Sequence, residues 1–158
     1  MLIEIFADNL TKKDISSNFH RATRGILIKD GKLLLLHSKD LDYYMLPGGG
    51  IEPDESETSC IKREMLEETG IEVEVVEKTV TVKEYFPNGS FEANYYFVKF
   101  IKQDLSKMTL TEEEISLDIE QIWLDVNDAL TLLDTHESSF EYAYNIMQRE
   151  FIALINSL

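Results

Sequence analysis

Gly48-Gly49-Gly50-Ile51-Glu52-Pro53-Asp54-Glu55 leads into Ser56-Glu57-Thr58-Ser59-Cys60-Ile61-Lys62, which closes on Arg63-Glu64-Met65-Leu66-Glu67-Glu68-Thr69-Gly70-Ile71. Asp54 or Ser56 can cap a helix with an acidic first turn. Glu57 follows Asp54 by three positions, as in a capping box, and Gly70 supplies a stop. The spacing predicts a helix over about 55–69. On it Ile61 and Met65 share the stripe that is buried, while Glu64, Glu67 and Glu68 gather on another face. Carboxylates at that spacing repel by roughly 0.2–0.5 kcal/mol per pair on an exposed helix, and by more when partly buried. A cation is therefore expected among them, and Arg63 supplies only part of it. Hard divalent ions take carboxylate, carbonyl and water oxygens, and Mg²⁺ favours a few carboxylates completed by substrate phosphates. The patch suits Mg²⁺ or Mn²⁺ and a phosphorylated substrate.

An isolated acidic cluster on a helix is most often a solvated face. Here the cluster stands in register with the glycine triplet, which lies between the apolar Tyr44-Met45-Leu46-Pro47 and the start of the helix. Glycine at such a point lets backbone approach closely. Upstream, about 20–29 reads as a strand, Asp30-Gly31 as a two-residue hairpin turn, and 32–37 as the returning strand. Residues 1–6 read as a short strand, and 9–18 as a polar connection. Downstream, 71–85 and 91–101 alternate as strands around Pro87-Asn88-Gly89-Ser90. A polar stretch over 102–116 holds Glu112-Glu113-Glu114 and reads as a loop; 119–124 is a short strand. Asp125 or Asn127 can cap a helix to about Leu133. A last helix over about 138–157 carries a stripe of Phe140, Tyr144, Met147, Phe151 and Leu154 or Ile155, which reads as core packing.

The 158 residues fit one domain spanning 1–158, and 44% hydrophobic content is that of a globular chain. No run of eighteen apolar residues offers a membrane span, and the first residues lack the basic start and apolar core of a secretory signal. A cytoplasmic location is expected. The single cysteine, Cys60, makes no internal disulfide and reads as a small packed side chain. With 30 acidic against 15 basic residues the net charge is −15, which leaves no electrostatic footprint for long nucleic acid. A small phosphate ester remains compatible, because bound metal reverses the local sign. Cations near the patch in sequence are His20, Arg21, Arg24, Lys39 and Arg63. Arg24 shares strand parity with Ile26 and Ile28, which does not say which face is the pocket.

The 23 residues from Gly49 to Ile71 resemble the box of the Nudix hydrolases: Gly49, five residues, Glu55, seven residues, Arg63-Glu64, an apolar residue, any residue, Glu67-Glu68, any residue, Gly70 and Ile71, with every fixed position filled. The resemblance implies an α/β/α sandwich with a mixed sheet. It extends more weakly over about 21–133, leaving 1–18 as an N-terminal extension and 138–158 as a C-terminal helix without counterpart. It implies hydrolysis of the pyrophosphate bond in a nucleoside diphosphate linked to another group, such as ADP-ribose or a nucleotide sugar. On this likeness Glu64, Glu67 and Glu68 match the metal-binding glutamates and the carbonyl of Gly49 can join them. Arg63 matches the arginine that holds the carboxylates, and Glu55 the supporting acid. The catalytic set is Arg63, Glu64, Glu67 and Glu113. The general base is either a box glutamate or one of Glu112–Glu114, a run whose plainer reading is a solvated acidic loop. Arg24, Lys39, Gly48 and Gly49 are the candidates for contact with substrate. A homodimer accords with the family.

The other end of the substrate is poorly encoded. Pro87 stands sixteen residues beyond Ile71, a spacing similar to one marker of ADP-ribose pyrophosphatases, yet Pro87-Asn88-Gly89 is a good turn without any ligand. Two further readings stay open: a nucleoside triphosphate pyrophosphohydrolase, and a nucleotide-sensing module without hydrolytic activity, against which the intact glutamates argue.

Overall fold

The computed structural model describes residues 1–7 and 18–158; the polar connection expected over 9–18 falls almost wholly outside them. Among these residues eight strands and four α-helices follow in the order β1 (Leu2–Phe6), β2 (Phe19–Lys29), β3 (Lys32–Ser38), β4 (Tyr43–Met45), β5 (Gly48–Gly50), α1 (Glu57–Thr69), β6 (Ile71–Phe86), β7 (Gly89–Gln103), α2 (Glu112–Ser116), β8 (Ile119–Asp125), α3 (Val126–Thr135) and α4 (Ala143–Ser157), with one 3-10 turn at Leu105–Lys107. The strands form one sheet in the order β1-β6-β7-β2-β3-β4, with β5 added on β2 and β8 on β3. The sheet is mixed: β1 runs parallel to β6 and β2 parallel to β7, while the other pairs are antiparallel.

Local chemistry accounts for the borders. Asp30 and Gly31 both take positive φ, 52° and 77°, the turn that matches the twist of the β2–β3 hairpin. Of the two candidate caps for α1, Ser56 is the one used: its hydroxyl accepts from the Ser59 N–H at 3.1 Å. Asp54 lies before the helix at φ 61°, so α1 begins at Glu57 rather than at 55. Gly70 ends it at φ 72°, its N–H returned to the Leu66 carbonyl.

Helices cover the sheet on both faces. Ile61 and Met65 of α1 pack with Leu27, Leu34, Ile71, Val73, Tyr96 and Val98 in one core. The opposite face packs α3 and α4 through Ala129, Leu133, Met147, Ala153 and Leu154 against Ile26, Leu33, Leu35, Tyr95 and Leu46. Alternation along β2 thus sends Ile26 and Leu27 to different cores. Ile28 is exposed, so the apolar parity expected for Arg24, Ile26 and Ile28 fails at its end.

Two expectations for the last helix are corrected. It starts at Ala143, not at 138, because the Ser138 hydroxyl is engaged elsewhere: it donates to the distant Leu41 carbonyl at 2.9 Å and accepts from the Phe140 N–H at 3.2 Å. Its buried face also differs from the expected stripe. Tyr144 is 69% and Ile155 49% exposed, whereas Arg149 and Glu150 are buried beside Met147 and Leu154. The acidic run over 112–114 is likewise not a loop but the first turn of α2. There Thr111 and Glu114 form a reciprocal capping box. Among the described residues no helix is long and apolar enough to cross a membrane.

Candidate active site

The glycine triplet is a strand. Gly50, Gly49 and Gly48 pair with Ala22, Thr23 and Arg24 of β2, which brings the backbone down onto the acidic face of α1. A β-carbon on Gly49 would stand 2.5 Å from the carboxyl carbon of Glu64, and one on Gly48 2.0 Å from the Thr23 carbonyl oxygen. No side chain fits between strand and helix, so the carboxylates approach the main chain directly.

Glu68 is 4% exposed and accepts from the Gly48 N–H at 2.7 Å. Burial drives its pKa well above the carboxylate range, against the pull of Arg24 and of that N–H. Glu64 is raised for the same reason, its burial outweighing its hydrogen bond from Arg63. Arg63 gathers the patch. Its Nε and Nη2 donate to Glu55 at 2.7 and 2.9 Å, its Nη1 to Glu64 at 2.8 Å and Glu67 at 3.1 Å, and Nη2 also to the Gly50 carbonyl at 3.0 Å. The bidentate bond to Arg63 holds Glu55 down to about 2. Arg63 itself is raised, first by Glu55 and then, against burial, by Glu64. Cys60 lies behind the patch with Thr23 Oγ1 at 3.1 Å, and burial pushes its thiol up to about 11, the property of an inert packed cysteine.

These groups line a cleft of about 540 Å³ with Arg24, His20, Tyr43, Phe91, Glu113, Glu114, Ile146 and Arg149. The Arg24 guanidinium is held by carbonyls, Gly48 at 2.9 Å and Leu46 at 3.5 Å, and its Nε has no hydrogen-bond partner. Among the described residues Arg24 makes no ion pair, unlike Arg63 and Arg149. Its charge is the one most available to an anion. Glu114 is tied to the α2 cap through the Thr111 N–H at 2.9 Å, whereas the Glu113 carboxylate accepts no hydrogen bond among the described residues.

The site's donors fit a hard divalent ion in kind. Glu64, Glu67 and Glu68 each give one oxygen to Arg63 or the Gly48 N–H and keep one without a hydrogen-bond partner among the described residues. In this arrangement no three acidic, imidazole or thiol groups among the described residues already converge on one point. The carboxylates turn instead to Arg63 and Gly48, the nearest positive groups. An all-oxygen set on a backbone cradle that excludes any side chain accords with Mg²⁺ or Mn²⁺.

The structure thus brings Gly48, Gly49, Arg63, Glu64, Glu67, Glu68, Arg24 and Glu113 to one cleft. It does not bring Lys39, whose ammonium stands 3.5 Å from Asp118 at the surface, outside the cleft lining. Arg21 pairs with Glu57 and Glu92 and is also absent from the lining. Arg149 was not anticipated. Its one sequence signal is a charged pair, Arg149-Glu150, interrupting the apolar stripe of α4.

The family model described as the NUDIX domain matches residues 19–144. The chain belongs to the Nudix family. A MutT-like protein of Streptomyces ambofaciens is 43% identical over 60 residues, covering 37% of this chain and 39% of its own. Diphosphoinositol polyphosphate phosphohydrolase 3-beta of Bos taurus is 28% identical over 116 residues, 69% of this chain and 63% of the relative. The chain thus spans less than two thirds of these relatives' lengths. In three dimensions a Nudix hydrolase from Nitrosomonas europaea superposes with a TM-score of 0.64 at 19% identity, over 87% of this chain and 90% of that one. The Nudix fold found here is shared with that protein.

Proposed function

We propose that this Nudix chain hydrolyses the pyrophosphate bond of a nucleoside diphosphate linked to another group. The observation that carries the reading is that Glu64, Glu67 and Glu68 line one cleft together with Arg24, which makes no ion pair among the described residues. Glu64, Glu67 and Glu68, with the Gly49 carbonyl, would hold Mg²⁺ or Mn²⁺. Such an ion supplies charge neutralisation at phosphate and a more acidic water. The chain's own groups do the rest. Arg24 binds a phosphate oxygen, and its carbonyl partners on Leu46 and Gly48 fix its orientation. Arg63 keeps the carboxylates at working separation. Glu113 takes the proton of the attacking water, since Glu114 is committed to the helix cap. His20 and Tyr43 also line the cleft.

The test is a panel of nucleoside diphosphate sugars, dinucleotides and nucleoside triphosphates with Mg²⁺, scored by phosphate released through a coupled phosphatase. Turnover of a diphosphate-linked substrate, abolished by excess chelator, is expected. Full turnover in chelator sinks the metal role. Preferential turnover of triphosphates assigns the triphosphate pyrophosphohydrolase reading, and binding without turnover the sensing one.

A further inference from the structure

A second lobe of about 210 Å³ shares Phe91, Ile146 and Arg149 with the cleft and is lined also by Glu84, Phe86, Tyr142 and Asn145. Arg149 forms the wall between the two. It is 7% exposed and its guanidinium lies 4.6 Å above the Phe91 ring. Nη1 donates to Glu84 at 3.0 Å and Nε to Glu150 at 3.1 Å. Nη2 has no hydrogen-bond partner among the described residues. A nearly buried guanidinium with one terminal nitrogen free of a hydrogen-bond partner among the described residues thus lines both the lobe and the cleft that holds the carboxylate patch. Arg149 lies past the 19–144 matched by the family model, so nothing in that match assigns it.

Charge decides what the lobe can take. Two carboxylates, Glu84 and Glu150, already contact this one guanidinium. A phosphorylated group would add a third negative charge where the positive charge is already compensated, whereas an uncharged acceptor needs only the N–H. Asn145, exposed at the rim, offers an amide of matching character, and Tyr142 is an exposed ring beside it. The same contrast separates the cleft's arginines: Arg24, without an ion pair, suits phosphate, and Arg149, doubly paired, suits a neutral group. Resting on the hydrolase reading above for the phosphate end, we infer that the lobe holds the uncharged, hydrogen-bond-accepting end of the substrate, the base of a nucleotide, with Arg149 Nη2 donating to a ring nitrogen or carbonyl. A substrate phosphorylated at both ends is excluded by the same charges.

Calorimetric titration separates this inference from hydrolysis. The probes are the α,β-methylene diphosphates of adenosine, guanosine, cytidine and uridine, and inositol hexakisphosphate, each with Mg²⁺ at near-physiological salt. At least one nucleotide is expected to bind about tenfold or more tightly than the inositol phosphate. Arg149→Lys, which keeps the charge and loses the fork, should weaken that nucleotide about tenfold. On a turned-over nucleotide substrate it should raise KM with kcat within about threefold. Tyr142→Ala and Asn145→Ala, both at exposed positions, should weaken it about threefold or more, and they serve if Arg149→Lys does not fold. Equal or tighter binding of the inositol phosphate overturns the inference, as does nucleotide binding unchanged in every folded variant. Loss of turnover with nucleotide binding intact would instead fault the hydrolase reading alone.

Discussion

Glu68 shows what a single carboxylate undergoes here. It is buried with one backbone donor, so in the metal-free protein its charge is poorly compensated. Glu68→Gln keeps the shape and removes the charge. Turnover is expected to fall by about a hundredfold or more, while the metal-free melting temperature stays level or rises. A fall in melting temperature with turnover preserved would place the carboxylate in structure rather than in chemistry. Glu55 behaves oppositely. Its pKa is lowered to about 2 by Arg63, so folding gains from its ionisation above the unfolded carboxyl range of about 4.3. That gain is lost as pH falls towards 2. Denaturant unfolding of wild type and Glu55→Gln between pH 5 and 2.5 should show the two converging on acidification, from a gap on the order of 1–3 kcal/mol. A gap that persists at the lowest pH would mean that the bond contributes by packing. The glutamates of this patch were legible in the sequence because three carboxylates on one helical face demand an explanation. Arg149 was not, because no pattern in a sequence distinguishes a charge that is buried with partners from one that is solvated.

At the scale of elements, what was legible followed local rules. The β2–β3 hairpin rests on two positive-φ positions at Asp30 and Gly31, and α1 on its hydroxyl cap and terminal glycine. Elements set by tertiary contacts were less legible. The start of α4 depends on Ser138 reaching Leu41, and its buried face on Glu150 reaching Leu46 and Tyr95, far away in sequence. Thr111 and Glu114 did carry the signature of a cap, obscured by the acidic run around them. Glu150 binds α4 to the glycine strand's approach: it accepts from the Leu46 N–H at 2.8 Å and the Tyr95 hydroxyl at 2.7 Å, besides Arg149. Glu150→Ala is expected to cost about 3–5 kcal/mol, because two donors and a guanidinium lose a buried partner. Chemical denaturation measures it, and a loss below about 1 kcal/mol would show that α4 docks through its apolar face alone. Gly48→Ala should be worse tolerated than any other alanine change in β5. The added carbon meets the Thr23 carbonyl at 2.0 Å, and φ is 148°. Loss of soluble, cooperatively unfolding protein is the expected result; a normal melt would mean that β5 can leave β2 at little cost.

For the molecule as a whole, the excess of acid matters twice. A net charge of −15 on 158 residues makes compaction repulsive, and the cleft concentrates that repulsion in Glu52, Glu64, Glu67, Glu68, Glu113 and Glu114. Two kinds of cation should relieve it, by different routes. Sodium chloride raised from about 20 to about 500 mM screens exposed charge everywhere, and the melting temperature should climb by a few degrees without saturating sharply. Magnesium chloride at matched ionic strength should climb further and saturate at millimolar concentration. An ion that binds only the folded protein adds roughly 1–3 kcal/mol once it exceeds its dissociation constant ten- to hundredfold. In Glu68→Gln the sodium response should persist and the extra magnesium response should vanish, since the first belongs to the surface and the second to one site. Identical curves for the two salts in wild type would leave the cleft without a specific ion and return its carboxylates to the general acidity of the chain. Separation of the curves in wild type and their merging in the variant would tie the molecule's stability to the face of α1 from which its chemistry was read.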